Sequence, residues 1–207
     1  MKTQDLIAAN RTLAHRLHGD QKYGERPYSE HLDDVRRVLT RFGFTSELFP
    51  VLHMAADQHD VYEDHRKTAK PEMFLALGVP QRAIDIAMAL RDGEGVNRRE
   101  RQQSSYKKIA QDPDAVILKL ADRIANIEAS IAENSKLQFM YAKEHRHFRD
   151  ALENANPAAA ALWEHLNTLV ESIPSKGGKG DTPLVMPGIA SPGGGVVGTN
   201  VCDRRHL

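Results

Sequence analysis

A chain of 207 residues can bury one sizeable core, so the expectation is a single domain with an appendage. Apolar residues make up 41%, charged residues 27% and aromatics only 6%, a balance that suits a helical protein better than a sheet sandwich. Lys plus Arg equals Asp plus Glu at 28 each, which removes the net charge that would draw the chain to nucleic acid or a membrane surface.

In chain order, Leu6, Ile7, Leu13, Ala14 and Leu17 recur at helical spacing and Gly19 closes the run, which predicts a helix over 3–18. A polar loop with two glycines and a proline follows to Tyr28. Pro27 suits the first turn of the next helix, whose stripe is Leu32, Val35, Val38, Leu39 and Phe42, with His31 on its flank. A central helix is expected over about 46–64, with Pro50 marking an alternative start. Pro71 and Pro80 each open a short apolar segment. After the glycine-spaced loop at 91–96, Asn97 with Glu100 three residues on has the form of a capping box, predicting a helix over 98–111 with a basic first turn. Asp112 and Pro113 precede the most apolar helix, about 115–133, and two further helices are expected over 137–155 and 157–173. No sustained alternation of the strand kind is present, so the expected architecture is an all-α bundle of irregular packing.

From Pro174 the composition turns to Gly, Ser, Lys and Pro, which cannot bury enough apolar area to offset chain entropy; a disordered tail is expected over 174–207. The single cysteine, Cys202, lies in that tail, which excludes a disulfide framework or multi-cysteine metal site within one chain and makes a reducing cytoplasm the natural compartment. No apolar run approaches the roughly 18 residues of a spanning helix, and residues 1–5 lack the apolar core of a signal peptide.

Chemistry concentrates in 55–64, Ala-Ala-Asp-Gln-His-Asp-Val-Tyr-Glu-Asp. On one helix His59 and Glu63 would stack, as would Asp60 and Asp64, offering imidazole nitrogen and carboxylate oxygen in one direction, the mixture a borderline divalent cation takes. A solvated acidic helix face is the alternative for this stretch alone. Asp122 stands on a helix apolar nearly all round, where a carboxylate is costly unless ion-paired or metal-bound, and both outcomes remain open. For His31 the alternatives are a satisfied core histidine and a ligand. Two histidines and two aspartates brought together would make a four-ligand site with positions left for water and substrate.

Three segments in order, Pro27-Tyr28-Ser29-Glu30-His31, His59-Asp60-Val61-Tyr62-Glu63-Asp64 and Lys119-Leu120-Ala121-Asp122-Arg123-Ile124-Ala125-Asn126, resemble the HD-domain metal-dependent phosphohydrolases. Within these the resemblance is greatest to the hydrolase domain of RelA/SpoT-type proteins and the small alarmone hydrolases, and it spans about 14–128. It implies an HD-type hydrolase domain over 1–173, with His31, His59, Asp60 and Asp122 as ligands of manganese or another divalent metal. It further implies that Glu63 and Asp64 orient or deprotonate the attacking water and that Asn126 contacts substrate; from residue chemistry, Tyr23 can stack on a base, and Lys22 and Arg98 can supply positive charge to a nucleotide's phosphates. The implied activity is release of pyrophosphate from the 3' position of guanosine 3',5'-bis(diphosphate). The alternatives are an HD phosphohydrolase of another nucleotide and a catalytically idle nucleotide-binding scaffold.

Two departures stand out. The family's arginine-lysine pair before the Pro-Tyr is missing from a shorter loop, Gln21-Lys22-Tyr23-Gly24, where Lys22 substitutes in part. Gln58 also occupies a position the family gives to an apolar residue.

Overall fold

The structure, a computed structural model, describes residues 2–174; the tail expected over 174–207 lies outside these residues except for Pro174. The described chain is all helical apart from one small hairpin. Its elements are α1 (Thr3–His18), β1 (Lys22–Tyr23), β2 (Arg26–Pro27), α2 (Tyr28–Arg41), α3 (Pro50–Gln58), α4 (Val61–Asp64), α5 (Pro71–Leu75), α6 (Gln81–Ala89), α7 (Arg98–Ile109), α8 (Pro113–Ala132), α9 (Leu137–Leu152) and α10 (Ala160–Ser172). A 3-10 turn at Pro157–Ala159 leads into α10, so the helix expected from 157 begins three residues later.

Helix α8 is the hub, packing against α2, α9 and α10, while α3 lies between α1 and α6. Its buried residues, Val116, Leu118, Leu120, Ile124 and Ile127 among them, occupy most of its circumference, as its near-continuous apolar sequence requires. Asp112 caps it, its Oδ1 accepting from the Asp114 and Ala115 amides at 3.0 and 3.3 Å, and Pro113 fills the first position, where a missing N–H costs nothing. The capping box at α7 is formed on one side as expected, Glu100 N–H donating to Asn97 Oδ1 at 3.0 Å; the Glu100 carboxylate accepts from the Val96 amide at 2.9 Å, one residue before the cap. No described helix is long and apolar enough to cross a membrane.

Two expectations are corrected. The loop over 19–28 contains a two-stranded antiparallel hairpin, Lys22 opposite Pro27 and Tyr23 opposite Arg26, turned by Gly24 at a φ of 63°. Two-residue strands are too short to show alternation, so no periodicity announced them. The central helix also fails to run through 46–64: α3 starts at Pro50 and ends at Gln58, His59 and Asp60 form a turn, and α4 restarts at Val61. The cause is local. His59 Nδ1 bonds to the Ala56 carbonyl at 2.8 Å, a side-chain interaction that competes with continuation of the backbone ladder.

Beneath this turn lies a buried polar network. The fully buried Asp57 carboxylate accepts from Arg36 Nη1 at 3.0 Å on both oxygens and from Asn10 Nδ2 at 3.0 Å. Gln58, the residue that departs from the family's apolar preference, donates to Asn10 Oδ1 at 2.6 Å and accepts from the Tyr62 hydroxyl at 2.7 Å. A glutamine is therefore at home there, because both ends of its amide are satisfied. Burial pushes Asp57 up to about 6 against the pull of Arg36. The Arg36→Met variant should lose about 3–5 kcal/mol of stability in urea unfolding, the cost of stranding a buried carboxylate. Removing the cation raises the folded-state pKa further above the unfolded one, so the folded form holds a proton that the unfolded form releases. The loss should accordingly be larger at pH 8 than at pH 5.

Candidate metal centre and active site

Four side chains from three separate segments meet beside the α3–α4 turn. His31 from α2, His59 and Asp60 from the turn each offer a ligand atom, all within 4.8 Å of one another. Asp122 joins from α8, its Oδ1 3.4 Å from His31 Nε2 and 3.7 Å from His59 Nε2. Asp60 Oδ2 lies 3.0 Å from His59 Nε2 and 3.7 Å from His31 Nε2. Bonds of roughly 2.0–2.2 Å to one cation would separate neighbouring ligand atoms by about 3.0–3.5 Å, close to these spacings.

The tautomer of His59 points the same way. A carbonyl oxygen only accepts, so the contact with Ala56 O requires a proton on Nδ1 and leaves Nε2 of the neutral ring with a lone pair. His59 Nε2 is buried and makes no hydrogen bond, with Asp60 Oδ2 3.0 Å away. A buried, unsatisfied nitrogen beside two carboxylates fits a divalent cation of the borderline class. With no cation, burial opposes protonation of His59, but Asp60 and then Asp122 outweigh it and hold the ring well above its ordinary range. Burial likewise opposes ionisation of Asp122, and Lys119 with the two imidazoles overcomes it, holding that carboxyl well below the usual range.

Sequence reasoning assigned no role to the groups that orient these four. Tyr28 is buried and its hydroxyl donates to Asp60 Oδ2 at 2.5 Å; burial, reinforced by Asp60, keeps the phenol protonated and therefore a donor. Lys119 Nζ donates to Asp122 Oδ2 at 2.9 Å. Each stands three residues before the residue it orients or its helix partner, Tyr28 before His31 and Lys119 before Asp122, so same-face spacing was the signal available.

The other predicted residues are placed less uniformly. Asn126 donates to the Asp122 carbonyl at 2.9 Å and carboxylate at 2.5 Å, and its own Oδ1 accepts from the Tyr23 hydroxyl at 2.6 Å. Tyr23 is buried, its ring stacked on His31 with centroids 4.5 Å apart and planes 3° apart. Both side chains thus contact the His31–Asp122 pair, Tyr23 through its ring and Asn126 through its amide. Arg98 Nε and Nη2 donate to Glu144 at 2.6 and 3.1 Å and tie α7 to α9. Lys22 is exposed, on the face of β1 opposite Tyr23.

The acidic pair lies on α4, where the Asp64 amide bonds to the Asp60 carbonyl one turn back at 2.9 Å and the Glu63 amide to the same carbonyl at 3.1 Å. Glu63 Oε2 accepts from the Asp92 amide at 2.9 Å, while Asp64 Oδ2 accepts from Gln21 Nε2 at 2.6 Å.

This arrangement of helices, with a His-Asp turn facing a histidine from α2 and an aspartate from α8, is an HD-type helical fold. A solved structure described as a metazoan ortholog of SpoT that hydrolyzes ppGpp and plays a role in starvation responses superposes with a TM-score of 0.63. The match covers 80% of this chain and 94% of that one at 22% sequence identity. No family model and no curated protein matches the sequence.

Tyr28→Phe keeps the ring and deletes only the hydroxyl on Asp60. It should weaken binding of a divalent cation about tenfold, read by competition against a chromophoric chelator.

Proposed function

We propose that the chain is a divalent-metal-dependent phosphohydrolase that releases pyrophosphate from the 3' position of guanosine 3',5'-bis(diphosphate), with His31, His59, Asp60 and Asp122 as ligands and manganese as the metal. The supporting observation is the meeting of two imidazole nitrogens and two carboxylates around the unsatisfied His59 Nε2. The described relative, named for hydrolysis of ppGpp, supplies the substrate class.

A cation held there lowers the pKa of water and offsets the negative charge that gathers on phosphate oxygens. The chain's own groups do the rest. Ala56 keeps the proton of His59 on Nδ1, Tyr28 holds Asp60 and Lys119 holds Asp122, so the ligand atoms are oriented before substrate arrives. Glu63, steadied by the Asp92 amide, and Asp64, steadied by Gln21, orient the attacking water and take its proton. The balanced composition agrees with a small nucleotide rather than nucleic acid as ligand, and the single cysteine with a reducing cytoplasm.

One observation favours a second reading. Of the four expected nucleotide contacts, Tyr23, Asn126 and Arg98 are engaged by protein groups, and Lys22 alone stands exposed. An HD phosphohydrolase acting on another nucleotide would need fewer of them.

Purified protein with manganese should release pyrophosphate from guanosine tetraphosphate; turnover confined to other nucleoside mono- or diphosphates would replace the alarmone by the second reading. Asp60→Ala should lose both metal and turnover. Glu63→Ala should keep the metal and lose turnover about 10²-fold or more. Wild type that binds no divalent metal would end both readings.

A further inference from the structure

A second cluster of ligand-type side chains lies at the end of α1, outside the four residues above. His18, the last residue of α1, and His65, the residue after α4, come from positions 47 apart and meet with His18 Nδ1 and His65 Nε2 at 3.2 Å. Both nitrogens face one oxygen, Gln21 Oε1, at 2.8 and 2.9 Å. The Gln21 amide is oriented from its other end, where Nε2 donates to Asp64 Oδ2 at 2.6 Å. His18, Asp64 and His65 each present a ligand atom within 4.8 Å of the others.

We propose that His18, His65 and Asp64, with the amide oxygen of Gln21, form a second binding site for a borderline divalent cation such as Zn²⁺. Zinc–nitrogen bonds of roughly 2.0–2.1 Å at a tetrahedral angle place two nitrogens about 3.3–3.4 Å apart, close to the 3.2 Å observed. The triangle of His18 Nδ1, His65 Nε2 and Gln21 Oε1 then forms one face of the coordination polyhedron. Two imidazoles and one carboxylate are a donor set for zinc or a neighbouring transition ion rather than for magnesium or calcium.

With no cation, Gln21 Oε1 only accepts, so the neutral His18 ring carries its proton on Nδ1, and a cation held there would shift that proton to Nε2. His18 is buried, and burial, only partly opposed by Gln21, pushes its pKa down to about 4, so the ring is neutral at neutral pH. Its Nε2 is buried without a hydrogen-bond partner, so the ring's polar engagement is through Nδ1. Its face stacks on Tyr28, centroids 4.4 Å apart and planes 13° apart, which fixes the direction of that nitrogen. The same Tyr28 holds Asp60, so the two clusters share one aromatic side chain. The second site does not depend on the hydrolase reading, since its donors bind a cation whatever the first centre does.

Full-length protein stripped with a chelator and titrated with Co²⁺, followed by visible absorption, and with Zn²⁺, followed by calorimetry, should take up two equivalents. His65→Ala and His18→Gln should each bind one equivalent, and Asp122→Asn should lose the other one while keeping the equivalent that His65→Ala removes. Circular dichroism melts identify variants that fold, and Gln21→Leu should weaken only the His65-dependent equivalent, whatever the fate of the histidine variants. A wild type with a single equivalent that is abolished by Asp122→Asn and untouched by His65→Ala would overturn the second site and leave the first standing. Two equivalents in His65→Ala, or none in wild type, would overturn it as well.

Discussion

The hydrogen bond between His59 Nδ1 and the Ala56 carbonyl is the contact on which the centre depends. It keeps a proton on the far side of the ring, so the nitrogen offered to a cation beside the two carboxylates is Nε2. The same bond accompanies the end of α3, and the turn that follows carries Asp60 to the side of His31 and Asp122. Asp64 keeps its place one turn beyond Asp60, its amide bonding to the Asp60 carbonyl at 2.9 Å. Within the acidic pair, Glu63 reaches the loop before α7 and Asp64 reaches Gln21 beyond the end of α1.

Bringing carboxylates and imidazoles together in a helical core requires compensation on every side. Tyr28 and Lys119 each give one hydrogen bond to a carboxylate of the centre, and Asn126 bridges Asp122 to Tyr23, whose ring lies flat on His31. Behind the turn, Asp57 is neutralised by Arg36 and Asn10, and Gln58 closes the network. These are the features of a site built before its ligand arrives, because few polar groups near the centre are left to reorganise. They also explain why residues expected to touch nucleotide turn inward. In a chain whose hairpin loop is short, Tyr23 packs on a ligand-type histidine, so its hydroxyl reaches Asn126 rather than solvent.

Much of this was legible beforehand. Helix α1 was read from Thr3 to about His18, the cap of α7 was visible in Asn97 and Glu100, and the burial of α8 followed from its unbroken apolar run. The four residues of the centre were named from motifs in order along the chain, and the fold they imply is the one observed. The hairpin and the turn at His59 were not read. Strands of two residues have no period, and the turn is accompanied by a side chain bonding to a carbonyl three residues back, which a helical pattern does not encode.

Local chemistry thus determined which segments are helices and which residue types are suited to hold a cation, because periodicity, capping and donor identity are properties of neighbours along the chain. Only the tertiary structure decided which polar groups are left facing a shared point. Tyr23, Asn126 and Arg98 were claimed by partners 103, 103 and 46 positions away, and His18 was brought against His65 across 47 positions. Contacts over such separations follow from how the helices pack, and packing depends on the summed burial of the whole core rather than on any short stretch.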